Sequence, residues 1–383
     1  MAELHENWMR EALSLAVHGE GWVSPNPMVG AVVVRDGVVV GRGWHERFGG
    51  PHAEVHALRN AGTATRGATL YCTLEPCNHT GKTPPCVQAV IGAGITTVVL
   101  GARDPNPVAA GGIVALRAAG VQVIEGICAT ECRRSNAAFF KCVSTRVPLI
   151  ALKWAMSLDG KIATGSGDSK WITGEMSRLH ARRLRGRHDA VVVGIGTVLA
   201  DDPSFNVRLD SDEETASTRQ PRRVILDSNA RTPLNSKLFD VQPAGPIILT
   251  VCKSPNASVM ERIDALRERG AEVVEVDPSA NGSVSVEAVV RELGKRGVMS
   301  VLVEGGAQVL GAFVDAKLAD RAHVFVAPKI VGGGNGLSAV GGRGVEKVAD
   351  AMTFIDGSVT SQMIGNDMLI EGAFTEWGWS AHA

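Results

Sequence analysis

His52-Ala-Glu54 opens a helical run, Glu75-Pro76-Cys77 follows an apolar strand-like run, and Cys86 opens the next helical run. An imidazole and two thiols are zinc ligands. A catalytic zinc takes three protein ligands and leaves a fourth position for water, whose pKa it lowers to about 7. Hydrolytic removal of an amino group from a nucleobase also needs a carboxylate that is not a ligand, to carry protons from that water to the ring nitrogen and the departing ammonia. Glu54, two residues past the histidine, fits that role. A structural zinc would instead be closed by a fourth ligand, for which Cys72 and His79 are the candidates. Cys72 lies in the apolar run ATLYC and reads as core, and His56 reads as a surface histidine or one behind the ligands. Cys128, Cys132, Cys142 and Cys252 have no ligand-like company and read as packing residues.

The second half has no Gly-x-Gly-x-x-Gly after an early strand, so the common dinucleotide fingerprint is absent. Its Gly-rich turn is Val303-Glu304-Gly305-Gly306-Ala307-Gln308-Val309-Leu310-Gly311, a strand leading into a helix. Such a turn exposes N–H groups at a helix start and can cradle a pyrophosphate. Lys153 stands inside the apolar run LIALKWA and Glu304 at the end of VLVE. Burial penalises each charge unless the two pair or meet a polar ligand.

Elements must hold these residues in place. From Val29 to about Cys142, the runs VGAVVV, ATLYC, ITTVVLG and VQVIEG alternate with helical patterns AEVHALRNAG, CVQAVIGAG, GIVALRAAG and a helix ending near Cys142. That is an α/β layered domain. The polar, proline-bearing Ser144-Thr-Arg-Val-Pro148 precedes a new strand-like run, LIALKWAMS, and divides the chain into domains 1–147 and 148–383. The second domain repeats the alternation, with strands at AVVVGI, RRVILDS, PIILTVC, AEVVEV, VMSVLVEGG, RAHVFVAP and MLIEGAF. Its helices fall near 174–186, 257–269, 285–296 and 306–317. Asp210 to Gln220 reads as an acidic surface loop with no chemistry.

Composition agrees with two folded domains. The 383 residues suit two units of roughly 100–200 residues. With 45% hydrophobic and 21% charged residues, disordered, collagenous and coiled-coil chains are excluded. Lys plus Arg number 39 against 40 Asp plus Glu, so no summed field holds a polyanion, and nucleic acid is not an expected partner. Glu3, Glu6, Arg10 and Glu11 interrupt any leader-peptide core, and no apolar run approaches the roughly 18 residues of a membrane span. The expected location is the cytosol, without membrane contact.

Eight residues, NHTGKTPP, separate Cys77 from Cys86 where the general deaminase pattern closes with Cys-x-x-Cys. The segment Cys77-Asn-His79-Thr-Gly-Lys82-Thr-Pro-Pro-Cys86, with Ser24-Pro-Asn26-Pro-Met-Val-Gly30 and Gly49-Gly-Pro-His52-Ala-Glu54 upstream, resembles the pyrimidine deaminase domain of riboflavin biosynthesis. The resemblance implies a cytidine-deaminase-like three-layer fold, with one zinc per chain at His52, Cys77 and Cys86 and with Glu54 as the catalytic proton carrier. It also implies substrate contacts at Asn26, His45, His79, Lys82 and Asn106, the last within Gly101-Ala-Arg-Asp104-Pro-Asn106-Pro.

In the second half, Leu152-Lys153-Trp-Ala155-Met-Ser157-Leu158-Asp159-Gly160-Lys161-Ile162-Ala163, Lys170-Trp171-Ile172-Thr173 and Val193-Gly194-Ile-Gly196-Thr197-Val-Leu-Ala-Asp201-Asp202-Pro203 resemble the reductase domain of the same pathway. That family implies a dihydrofolate-reductase-like fold and NADPH. Matching positions place the cofactor at Ala155, Trp171, Thr197, Asp201, Ser228 and the turn Gly306, Ala307, Gln308, Val309, Leu310, Gly311 and Ala312. They place the substrate at Ser169, Arg185, Phe205, Arg208 and Glu304. Arg185 and Arg208 are apt donors for a sugar phosphate, although within HARRLRGRH Arg185 also reads as a solvated helix face, and Trp171 also reads as core. A catalytic Lys153–Glu304 pair could position and protonate an opening ribose ring.

The resemblance runs from about Asn7 to Glu371 and implies a bifunctional deaminase–reductase. Its first domain would remove the 2-amino group of 2,5-diamino-6-ribosylamino-4(3H)-pyrimidinone 5′-phosphate, and its second would reduce the ribosyl chain to ribityl with NADPH. The implied partners are that phosphorylated pyrimidine and further copies of the chain in a homo-oligomer. Two rival readings are a zinc deaminase for guanine, cytidine or a tRNA base, and a second domain that only binds ligand and stabilises an oligomer.

Overall fold

The computed structural model describes residues 2–209, 219–240, 247–250 and 257–379; the acidic segment at 210–218 and Cys252 lie outside them. Two compact units divide the chain between Thr145 and Arg146. In the first, the order is α1 (Ala2–Ala16), β1 (Gly30–Arg35), β2 (Val38–Trp44), α2 (Ala53–Ala61), β3 (Thr69–Leu74), α3 (Cys86–Gly92), β4 (Thr97–Ala102), α4 (Gly112–Ala118), β5 (Gln122–Glu125), α5 (Ala129–Ser135) and α6 (Ala137–Thr145). The sheet runs β2-β1-β3-β4-β5, antiparallel at its first two pairings and parallel at the last two. Helix α3 packs on both α2 and α4, with α2 against β1 and β2, while α1 and α5 meet each other and cover β1, β3 and β4. This is the expected three-layer arrangement. Strands β1, β3 and β4 lie between the layers, which is why their runs are apolar at nearly every position rather than alternating.

The helix that carries His52 and Glu54 is set against the sheet by a glycine. A Cβ at Gly43 in β2 would meet the Ala53 carbonyl of α2 at 2.5 Å, so only glycine allows this approach. Gly62, at φ 56°, ends α2 with its N–H on the Leu58 carbonyl.

The second unit contains β6 (Leu149–Ser157), β7 (Lys161–Ala163), α7 (Glu175–Gly186), β8 (Ala190–Gly194), α8 (Ile195–Asp201), β9 (Arg222–Leu226), β10 (Ile247–Thr250), α9 (Ala257–Glu268) and β11 (Glu272–Glu275). It continues with α10 (Val286–Lys295), β12 (Ser300–Glu304), α11 (Ala307–Asp315), β13 (Arg321–Ala327), β14 (Leu337–Ser338), β15 (Thr360–Ile364) and β16 (Asp367–Ala373). Nine strands form one mixed sheet in the order β11-β10-β9-β8-β12-β6-β13-β16-β15, parallel from β11 to β13 and antiparallel beyond, with β14 pairing β7 separately.

Period-two alternation builds a core on each face of this sheet. Ile150, Leu152, Val192, Val301 and Val303 join Val289, Leu293, Leu310 and Phe313 of α10 and α11. Ala151, Val191, Val193, Leu302 and Phe325 join Ala181 and Leu184 of α7 and Ile263 and Leu266 of α9. The strands and helices read from the sequence are present among the described residues, which also contain α1, β2, α5, β7, α8, β14 and the polar edge strand β15.

Candidate active sites

The end of β3 and the starts of α2 and α3 converge in the first unit. His52 is the residue before α2, Cys77 follows β3, and Cys86 opens α3. Their ligand atoms all lie within 4.8 Å of one another, with His52 Nδ1 at 3.1 Å from Cys86 Sγ and 3.5 Å from Cys77 Sγ. Zinc bonds of about 2.3 Å to sulfur and about 2.0 Å to nitrogen, at tetrahedral angles, separate ligand atoms by roughly 3.5 Å. The trio matches that spacing, and His79, Cys72 and His56 do not join the group among the described residues. The hydrogen bond with Cys86 pulls the Cys77 thiol down to about 4, helped by His52; the same hydrogen bond and burial push Cys86 up.

Glu54 lies in the first turn of α2, only 3% exposed, and burial raises its carboxyl pKa. It lines one cleft of about 890 Å³, open mouth included, with Asn26, His45, His52, Cys77, His79, Lys82 and Asn106. The buried His45 has Nδ1 at 3.0 Å from the Pro51 carbonyl and Nε2 at 3.3 Å from Asn26 Nδ2. A carbonyl only accepts, so Nδ1 carries the proton and Nε2 accepts from Asn26; burial, which lowers the histidine's pKa, favours this neutral form. Lys82 sits over the Phe48 ring at 3.9 Å. Phe48 and Phe139 line the same cleft and carried no signal in the sequence, since an isolated aromatic in a loop or helix resembles any packing residue.

In the second unit Glu304 pairs with Lys153 in register across parallel strands β12 and β6, so both side chains stand on the same sheet face. Lys153 Nζ is 3.5 Å from Glu304 Oε2. Arg185 reaches down from α7 and donates to both carboxylate oxygens, at 2.5 and 3.0 Å, while its guanidinium covers the Phe205 ring at 5.1 Å. The helix-face reading of Arg185 therefore fails: its side chain is 18% exposed and spends its donors on a buried anion. Burial pushes the Glu304 carboxyl up, but Arg185 and then Lys153 outweigh it and hold the group at about 2. Lys153 is lowered, because burial and the neighbouring Arg185 outweigh its share of the one anion.

The cofactor positions surround this group less tightly. Gly305 and Gly306 have φ of 75° and 73°, and a Cβ on Gly306 would reach 3.3 Å from Thr197 Oγ1, so the turn before α11 needs both glycines. Ala155 continues β6 two residues past Lys153, opposite Phe325 of β13. Asp201, at the end of α8, is 3.3 Å from Lys170 Nζ. Ser228 Oγ accepts the Val284 N–H at 3.1 Å, a structural bond. Trp171 is 62% exposed, which overturns its reading as core; Arg178 lies over its ring at 4.6 Å. Gln308, Val309, Leu310, Gly311 and Ala312 form α11 behind the turn. Among the described residues no hydrogen bond or ion pair ties Ser169 or Arg208 to the Lys153–Glu304 group.

Residues 2–102 match the cytidine and deoxycytidylate deaminase zinc-binding region, and residues 148–370 match the RibD C-terminal domain. The chain is 40% identical over 367 residues to the riboflavin biosynthesis protein RibD of Actinobacillus pleuropneumoniae, covering 95% of this chain and 94% of that one. It is 43% identical over 346 residues to RibD of Aquifex aeolicus, covering 90% and 93%. The chain belongs to the RibD family. Among solved structures, RibD of Acinetobacter baumannii superposes with a TM-score of 0.85 at 36% identity, over 97% of this chain and 99% of that one. A Thermotoga maritima protein described as a diaminohydroxyphosphoribosylaminopyrimidine deaminase/5-amino-6-(5-phosphoribosylamino)uracil reductase gives 0.80 at 37% identity over the same shares.

As a RibD-family member the chain is a bifunctional deaminase and reductase of riboflavin biosynthesis, with zinc in the first unit and NADPH in the second. Both groups fit the residues present. The His52–Cys77–Cys86 spacing suits zinc with a position left for water, and the Gly305–Gly306 turn leaves beside Thr197 the space a side chain would fill. No helix among the described residues is long and apolar enough to cross a membrane.

Proposed function

We propose that the first unit deaminates 2,5-diamino-6-ribosylamino-4(3H)-pyrimidinone 5′-phosphate and that the second then reduces the ribosyl chain of the product to ribityl. The observation that carries this reading is a buried, non-ligating carboxylate, Glu54, in the same cleft as the His52–Cys77–Cys86 trio. Zinc, when bound, supplies an acidified water, and NADPH supplies a hydride. Glu54 takes a proton on its carboxylate and delivers it to the ring nitrogen and then to the departing ammonia. Its raised pKa suits a group that must hold the proton between those transfers. Asn26, His45, His79, Lys82 and Asn106 orient the pyrimidine and its sugar phosphate.

In the second unit Lys153 protonates the ribose oxygen as the ring opens, and Glu304, held by Arg185, keeps the lysine in place. Arg185, Arg208, Ser169 and Phe205 meet the substrate. Ala155, Trp171, Thr197, Asp201, Ser228 and the 306–312 turn hold NADPH. We assign the two activities to domains 1–147 and 148–383 and place the enzyme in the cytosol as a homo-oligomer. Among the described residues six cysteines stand outside any disulfide, which suits a reducing compartment.

A Glu54→Gln enzyme tests the order and the roles together. It should consume NADPH when given the deaminated intermediate and release no ammonia from the diamino substrate. NADPH consumption on the diamino substrate by this variant would overturn the order.

A further inference from the structure

Asp159 is an exposed carboxylate whose acceptors are nonetheless filled. It sits in the turn between β6 and β7, where it accepts from Ser157 Oγ at 2.5 Å and from the N–H groups of Val331 and Gly332 at 3.0 and 2.8 Å. The same turn is tied again by the Leu158 N–H on the Lys329 carbonyl at 2.7 Å. Lys329 in turn donates from Nζ to the Trp171 carbonyl at 2.7 Å.

Followed onward, the segment reaches the opposite wall. Lys161 Nζ donates to the Gly336 carbonyl at 3.2 Å, and β14 pairs with β7. The Gly341 N–H then donates to the Ala307 carbonyl at 2.9 Å, Gly311 of α11 has no room for a Cβ against the Gly341 backbone, and the Arg343 N–H donates to Asp315 at 2.8 Å. Residues 329–343 thus form a strap with one end on the Trp171 segment and the other on the Gly306–Ala312 helix.

The middle of the strap is the part least able to hold itself. Gly332 and Gly333 take φ of 69° and 74°, Gly334 and Gly336 follow, and such a run loses much conformational entropy when fixed. A carboxylate accepting two backbone N–H groups is the strong kind of anchor.

We propose that Asp159 is a positioning residue for NADPH: by pinning the strap 329–343 it holds the Trp171 segment and the Gly306–Ala312 turn at the spacing the dinucleotide spans. This rests on the placement of NADPH given above. The hydrogen bond from Ser157, and after it those from Val331 and Gly332, hold the Asp159 carboxyl at about 2, so the anchor stays charged at any working pH.

The test uses the full chain and four variants: Asp159→Ala, Asp159→Asn, Lys329→Met and Trp171→Ala. NADPH binding is read by titration of its fluorescence, and the strap by the rate of tryptic cleavage without cofactor, after Lys329 and Arg343 or, in Lys329→Met, after Arg343 alone. Asp159→Ala should weaken NADPH about tenfold and speed cleavage, with turnover at saturating NADPH and ammonia release near wild type. Asp159→Asn, which keeps one acceptor oxygen, should fall between alanine and wild type. Lys329→Met should also weaken NADPH, and it carries the test if Asp159→Ala does not fold. Wild-type affinity in both Asp159→Ala and Lys329→Met, with Trp171→Ala weakened, overturns the strap alone. Wild-type affinity in Trp171→Ala overturns the underlying placement of NADPH.

Discussion

Glutamate 304 is one anion shared by two cations, and replacing it with glutamine isolates what that arrangement contributes. Glutamine is the isosteric counterpart of the protonated acid, so the loss should approximate the free energy stored in the depressed pKa. A carboxyl held at about 2 against an ordinary 4.5 stores about 3 kcal/mol at neutral pH. Removing one partner from a buried ion pair costs roughly 3–5 kcal/mol, which agrees. Arg185 cannot shed its proton, but Lys153 can, and its deprotonation caps the loss near the lower figure. In a unit of this size about 3 kcal/mol lowers the melting temperature by roughly 6–12 °C. Because the folded-state pKa is depressed, this stability is fully present above the unfolded carboxyl pKa and is lost as pH falls through the folded one. The gap between wild type and Glu304→Gln should therefore be constant from neutral pH to about pH 5 and close between about pH 4 and pH 2. Scanning calorimetry of the full chain reads the shift. A Glu304→Gln reductase transition unshifted at pH 7, or a gap that persists at pH 2.5, would refute the ion-pair account.

Further outcomes follow from the same geometry. Glu54→Gln should abolish ammonia release while metal analysis still finds one zinc per chain, and loss of the metal would make Glu54 a ligand or a structural residue. His52→Ala and Cys77→Ser should each lose the zinc, read by the same analysis. Lys153→Ala should lower NADPH oxidation by about two or more powers of ten, as expected for lost general acid–base help, and leave ammonia release near wild type. A chain ending near Val147 should fold and release ammonia; an insoluble or inactive product with zinc present would show that the first unit depends on the second.

Legibility followed how local each constraint is. The zinc trio and Glu54 could be read because ligand chemistry restricts residue type at element ends. Lys153 and Glu304 stood out as charges in the otherwise apolar strand runs LIALKWA and VLVE. Their pairing was legible as the economical way to offset two buried charges, and the β12–β6 register brings them to 3.5 Å; the part played by Arg185 was not, because it depends on α7 crossing above the pair. Trp171 was open to the core reading because a tryptophan in sequence does not show which side of the chain is solvent. Helix α1 buries Met9, Ala12 and Ala16 at helical spacing, but two of the three are alanines, so the apolar stripe is weak in the sequence. Strand β15, TSQMI, is polar along an edge and offers no alternation to detect. The Asp159 strap is a tertiary contact between segments about 170 residues apart, and no local pattern foretells it.

The central claim is that one chain performs both steps in sequence at two sites. Zinc-loaded protein given the diamino substrate and excess NADPH should release one ammonia for each NADPH oxidised, with ammonia release preceding oxidation. NADPH oxidation without ammonia release, or ammonia release without NADPH oxidation, would contradict it.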